Sequence, residues 1–118
     1  MIRLWKATGP YLLHRQACII NDVIQSFADQ ATADLFYDAD TKAARRFPRV
    51  LWARIQQKLV VLDSASRLSD LAALPGNRLE PLKGGRAGRY SLRVHDQYRL
   101  TFRFENGHCR EVRCEDYH

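Results

Sequence analysis

A chain of 118 residues that is 46% hydrophobic and 27% charged has room for one modest core and not for two. No apolar run approaches the ~18 residues that a membrane span requires. Lys and Arg outnumber Asp and Glu by 19 to 13, giving a net charge of +6, which suits a polyanionic partner such as nucleic acid.

The first 22 residues do not resemble the rest of the chain. Gly9-Pro10 breaks any early helix, and the apolar "YLL" is too short for the core of a signal peptide. A real appendage, a short docked helix and a mistranslated leader all remain open. In the last case the functional chain begins at Val23, since valine codons can serve as starts. Residues 1–22 carry three basic residues and one acidic residue; without them 16 face 12, so the chain stays basic at +4.

From Val23 the elements come in order. "VIQSF" (23–27) reads as a short strand, with Val23 and Phe27 on one face. "DQATADLFYD" predicts a short helix opening at Asp29. Pro48 suits the first turn of a second helix, in which Trp52, Ile55, Leu59 and Leu62 form one apolar stripe. "SRLSDLAAL" repeats the pattern with Leu68 and Leu71 and stops at Pro75-Gly76. The period then changes from 3.6 to 2. In 89–95, Tyr90, Leu92 and Val94 alternate with Arg89, Ser91, Arg93 and His95. In 98–105, Tyr98, Leu100, Phe102 and Phe104 alternate with Arg99, Thr101, Arg103 and Glu105. Asn106-Gly107 is a strong hairpin signal, and "CREVRCE" completes an antiparallel meander. The apolar faces have only the helices to pack against, which makes the fold α+β.

Three cysteines, Cys18, Cys109 and Cys114, form no CxxC pair and no Cys/His metal spacing, so no metal and no cofactor is expected. They read as reduced cytoplasmic thiols, with Cys109 and Cys114 as small core groups of a strand. His95 and His108 fall in turns and read as structural or exposed.

The sheet face opposite the helices carries Arg89, Arg93, Arg99 and Arg103. It is either an ordinary solvated face or a groove for phosphates. Arginine's planar fork suits phosphate, and the loop "NRLEPLKGGRAGRY" adds Arg78, Lys83 and Arg86 with glycines that permit close backbone approach. The glycine spacing matches no Walker or dinucleotide fingerprint. The chain ends in Asp116, Tyr117 and His118: an acceptor, a stacking ring and a group that titrates near neutral pH. Strict alternation puts Asp116 in phase with the core-facing Val112 and Cys114, so the strand is expected to end or bulge before it.

The stretch "PGNRLEPLKGGRAGRYSLRVHDQYRLTFRFENG" together with the terminal "EDYH" resembles the HigB branch of the RelE-type bacterial toxins. The resemblance spans about residues 23–118 and is most specific in "LKGGRAGRYSLRV", "QYRLTF" and "DYH". It implies a RelE-like fold: an antiparallel sheet of about four to five strands with two or three helices on one face. It also implies a cytoplasmic, ribosome-dependent messenger RNA endonuclease that needs no metal. The ribose 2′-OH attacks the adjacent phosphate and leaves a cyclic phosphate. Its partners are the decoding site of the small ribosomal subunit and a HigA-like helix-turn-helix antitoxin; no membrane is involved.

Carried over by position, Arg99 stabilises the phosphate charge and Lys83 is a second cation. Asp116 and His118 share the proton transfers, and Tyr117 stacks or braces. Glu80 is a base or an ion-pair partner of Lys83 or Arg99, and the assignment of acid and base stays open. Arg86 and Arg89 are expected on ribosomal RNA phosphates, with Arg78, Arg93 and Arg103 completing the RNA-binding set. Two alternatives stand beside this reading. One is a toxin of the same fold acting on DNA gyrase, like the ParE branch, which lacks the terminal Asp-Tyr-His. The other is a non-catalytic RNA-binding module that uses the arginine face alone.

For residues 1–22 the intact mass of the natively expressed protein is decisive. A mistranslated leader requires a mass starting at Val23, and a mass corresponding to Met1 ends that reading.

Overall fold

Asp29 starts the helical half of the chain. The computed structural model describes residues 23–86 and 88–116, so the expectations for residues 1–22, Tyr117 and His118 lie outside the described residues. The Asp29 backbone is extended, and its carboxylate accepts a hydrogen bond from the Thr32 amide at 2.9 Å, an N-cap for helix α1 (Gln30–Phe36). Two 3₁₀ turns come next, Ala44–Arg46 and Arg49–Leu51, with Pro48 capping the second. That second turn runs into α2 (Trp52–Ser64), so the helix begins later than the proline suggested. Its buried residues are Trp52, Ile55, Leu59 and Leu62, the stripe read from spacing. After a connection of three residues comes α3 (Leu68–Ala72), whose Leu71 is buried.

The sheet is antiparallel, in the order β1 (Glu80–Pro81), β2 (Arg89–Arg93), β3 (Tyr98–Glu105) and β4 (His108–Asp116). β1 lies within what reads from sequence as loop; it pairs Glu80 with Ser91 and Pro81 with Tyr90. As an edge strand it tolerates a proline, which cannot donate to the ladder. Asn106 and Gly107 both take positive φ, 51° and 80°, and close the β3–β4 hairpin in two residues. Residues 23–27 form two isolated parallel bridges, Ile24 to Cys109 and Phe27 to Val112, rather than a regular strand.

All three described helices lie on one side of the sheet. Leu92, Val94, Leu100, Phe102, Cys109, Val112 and Cys114 pack there with Leu35, Ile55, Leu59, Leu62 and Leu71. Cys109 and Cys114 are five positions apart, so strict alternation would turn one of them outward. Glu111 resolves this. It adopts φ 54° and adds one residue to β4, so that Arg103 pairs with Arg110 and Thr101 with Arg113. The Glu111 amide donates to Ser26 Oγ at 2.9 Å, and the Cys114 amide to Thr32 Oγ1 at 2.9 Å. The bulge lies ahead of Val112, so Val112, Cys114 and Asp116 stay in phase. The break expected just before Asp116 does not occur, because β3 still offers Leu100 and Tyr98 as partners for Cys114 and Asp116.

Burial, reinforced by the charge of Asp63, pushes the Cys109 thiol up to about 12; burial, reinforced mainly by Asp29, does the same for Cys114. The thiolate is the reactive form. Iodoacetamide at mildly alkaline pH should therefore leave both residues unlabelled in the native protein and label both in denaturant, as read by peptide mass spectrometry. Rapid native labelling at either position would contradict this packing.

Candidate nucleic-acid interface

Register assembles the outer face of the sheet. Arg89 lies opposite Arg103 and Arg93 opposite Arg99, with Ser91 and Thr101 paired and buried between them. β4 extends the face, setting Arg113 beside Thr101 and Glu115 beside Arg99. β1 adds Glu80 beside Ser91.

Arg99 is the most buried arginine of this face. Its side chain is 13% exposed, its Nη2 donates to the Arg78 carbonyl at 2.6 Å, and its Nη1 stands 3.9 Å from Glu80 Oε1. Arg78 presents that carbonyl from a left-handed conformation, φ 45°, just after the 3₁₀ turn Pro75–Asn77. The turn is itself pinned by Asn77, whose buried side chain accepts from Lys58 Nζ at 2.6 Å and donates to the Leu71 carbonyl at 3.1 Å. Glu80 is 61% exposed, and of the two partners considered for it the ion pair formed is with Arg99. Lys83 is exposed in the loop after β1, directly before the 3₁₀ turn Gly84–Arg86.

The remaining arginines have carboxylate neighbours rather than standing as a bare row. Arg93 pairs with Asp96 at 2.6 Å, Arg103 with Glu105 at 3.7 Å, and Arg89 with Glu111. Asp96 is 84% exposed, and water screens so open a pair, so a phosphate can take the carboxylate's place cheaply.

Arg86 is different. Its two terminal nitrogens grip both oxygens of Glu115, at 3.2 and 2.5 Å, and Thr101 Oγ1 donates to the same carboxylate at 2.5 Å. Burial opposes ionisation of Glu115, but the bonds from Arg86 and Thr101 and the charges of Arg86 and Arg113 outweigh it and hold the carboxyl below its ordinary value. Arg86, expected on ribosomal RNA, thus latches the Lys83 loop to the final strand. Glu115 escaped the sequence reading because the bulge hides which polar positions of β4 share a face; Thr101 reads from sequence as part of the polar face of β3, but its bond to Glu115 depends on that hidden register.

Asp116 closes the described part of β4. It is exposed, lies opposite Tyr98, and accepts from Gln97 Nε2 at 3.2 Å. Arg99 and Glu80 are brought together, whereas Asp116 leaves the strand end on the helix side, one residue beyond the Glu115 that pairs with Arg99. His95 accepts from the Gln97 amide in its turn, as read from sequence, whereas His108, read as part of a turn, is exposed as the first residue of β4.

Comparison with known proteins now places the chain. Residues 25–118 match the family model of the RelE-like toxin of the type II toxin–antitoxin system HigB. The chain belongs to the HigB-like toxin family. It is 43% identical over 72 residues to Toxin HigB-1 of Vibrio cholerae, covering 61% of this chain and 75% of that one. To Endoribonuclease HigB of Proteus vulgaris it is 39% identical over 69 residues, covering 55% and 70%. The solved YoeB dimer from Staphylococcus aureus shares the fold, with a TM-score of 0.51 at 22% identity over 83% of this chain and 98% of that one.

Glu115 provides a pH test of the latch in this toxin. A depressed carboxyl contributes stability that is complete above its ordinary titration range and is lost as pH falls through the folded-state value. The melting temperature of wild type should therefore exceed that of Glu115→Gln most at neutral pH, and the gap should close in acid. A gap independent of pH would remove the charge from the latch.

Proposed function

We propose that this toxin is an endoribonuclease that cuts messenger RNA on the ribosome in the cytoplasm, by attack of a ribose 2′-OH on the adjacent phosphate. The products are a 2′,3′-cyclic phosphate and a 5′-OH. The observation that carries the reading is Arg99. It is held by the Arg78 carbonyl beside the solvent-open carboxylate of Glu80, on a face lined with further arginines. The name of the Proteus vulgaris relative supports the same activity.

The chemistry divides among these groups. Arg99, already fixed in direction, stabilises the charge that builds on the phosphorane without reorganising, and Lys83 adds a second cation. Glu80, next to Arg99, accepts the 2′ proton. Asp116 and His118 share the proton transfer to the leaving 5′ oxygen, and Tyr117 stacks on a base. A guanidinium and an ammonium supply the positive charge, so the scheme needs no metal. Arg78, Arg89, Arg93 and Arg103 track phosphates, the last three exchanging their carboxylate neighbours for them; the use of the 2′-OH selects RNA. A HigA-like helix-turn-helix antitoxin holds the activity in check.

Induction of wild type, Arg99→Ala and a chain lacking His118, with 5′-end mapping of cellular messenger RNA, tests the proposal. Wild type should arrest growth and cut within open reading frames, and Arg99→Ala should lose about 10²–10³-fold in cleavage rate, as for removal of an oxyanion donor. Arrest without cutting would point to a gyrase-type target. Undiminished cutting by both variants would displace the site.

A further inference from the structure

At the β4 edge of the sheet, beside Asp116 and with side chains from both faces in its lining, lies a cavity of about 470 Å³. Its floor is apolar: Phe47 and Tyr98 meet edge-to-face with centroids 5.7 Å apart and interplanar angle 79°, and buried Cys114 lies alongside. The Phe47 carbonyl accepts from Trp52 Nε1 at 3.0 Å, which fixes that ring's backbone. Its walls are two arginines. Arg46 Nη2 and Arg113 Nε both donate to Asp29 Oδ2, at 2.9 and 3.3 Å, while the other Asp29 oxygen caps α1. Asp29 is only 16% exposed, whereas the arginine side chains are 56% and 51% exposed. One helix-capping carboxylate thus orients two solvent-facing guanidinium groups around a hydrophobic floor.

Each guanidinium has five N–H donors, and one carboxylate oxygen cannot occupy them. Such planes are stacking platforms for unstacked RNA bases. Glu115 and Asp116 also line the cavity. The charge of exposed Asp116 repels a phosphate or an acidic peptide from the interior but accepts the amino groups of a base. We propose that this cavity binds one unstacked nucleotide of the RNA, its base stacked on the Arg46 guanidinium, which lies over the Phe47 ring at 5.2 Å, with Arg113 beside it, next to the nucleotide being cut. This rests on the RNA-cleaving reading and extends the RNA path around the end of β4 to residues that none of the sequence candidates included. The run "RRF" at 45–47 was its only local signal.

The test uses the full chain and a single-stranded, 2′-O-methylated RNA oligonucleotide containing 2-aminopurine, which cannot be cut and whose fluorescence is quenched by stacking. Wild type should quench the probe. Arg46→Ala and Arg113→Ala, checked by thermal melting for a wild-type fold, should each weaken binding about tenfold. Arg46→Lys should retain salt-dependent binding but lose the quenching, because an ammonium offers no plane. On programmed ribosomes the alanine variants should raise KM and blur the choice of cut site while kcat stays within about twofold of wild type.

The proposal fails if folded alanine variants bind and quench like wild type, if lysine restores quenching fully, or if wild type never quenches. It also fails if the variants lose only antitoxin binding, which would make the cavity a protein-docking site. Quenching that depends on Arg46 in a wild type that cuts no messenger would support the cavity and sink the nuclease reading. Cutting unaffected by the variants would do the reverse.

Discussion

The geometry of this protein turns on one inserted residue. Glu111 shifts the phase of β4 by one position, and everything downstream takes its side from that shift. With it, Cys109 and Cys114 both enter the core, Arg113 and Glu115 join the arginine face, and Asp116 leaves the strand end toward the helices. Without it, each residue after Arg110 would exchange faces. The bulge is held from outside the hairpin: Ser26 takes the Glu111 amide, the Ser26 carbonyl takes the Val112 amide at 3.1 Å, and the Ala28 amide donates to the Val112 carbonyl at 2.8 Å. The irregular leading segment therefore acts as the template for the working end of the sheet.

Charge is handled in two ways on the face so produced. Where the carboxylate is open to water, as at Arg93 and Asp96, the pair is weak and exchangeable, which suits contact with a polyanion whose register varies. Where the carboxylate is sheltered and has further donors, as at Glu115, the pair is a fixture that ties loop to strand. Arg99 stands between these cases. It is largely covered and oriented by a backbone carbonyl, yet its carboxylate neighbour Glu80 is exposed. A cation oriented before substrate arrives is what transition-state stabilisation asks of it. Asp29 plays the equivalent part on the other side of the strand end, where helix capping and two arginine contacts share one carboxylate.

Much of this was legible in the chain itself. The stripe Trp52–Ile55–Leu59–Leu62, the Asp29 cap, the period-2 runs of β2 and β3 and the Asn106-Gly107 turn each rest on local rules, and each is present. What local rules do not reach went differently. The Glu80–Pro81 strand is two residues long and contains a proline, so neither propensity nor pattern marks it. The segment 23–27 pairs in parallel and only through isolated bridges, since its partner is the bulged edge of β4. Arg86, one loop arginine among several, became a latch because Glu115 lies opposite it, 29 positions along the chain.

The sequence by itself determined the three helices, the strands from Arg89 onward and their order, the helix-facing side of β2 and β3, and the basic balance. These depend on hydrophobic period, capping and turn chemistry, all encoded within a few residues. Only the tertiary structure decided which cations are committed and which remain available, and on which side of the sheet Asp116 emerges. Those outcomes depend on strand register and on the carboxylate that happens to stand across it, as Asp29 does for Arg113 across 84 positions. A one-residue shift of phase is invisible to local pattern, yet it sets the face of every side chain after it.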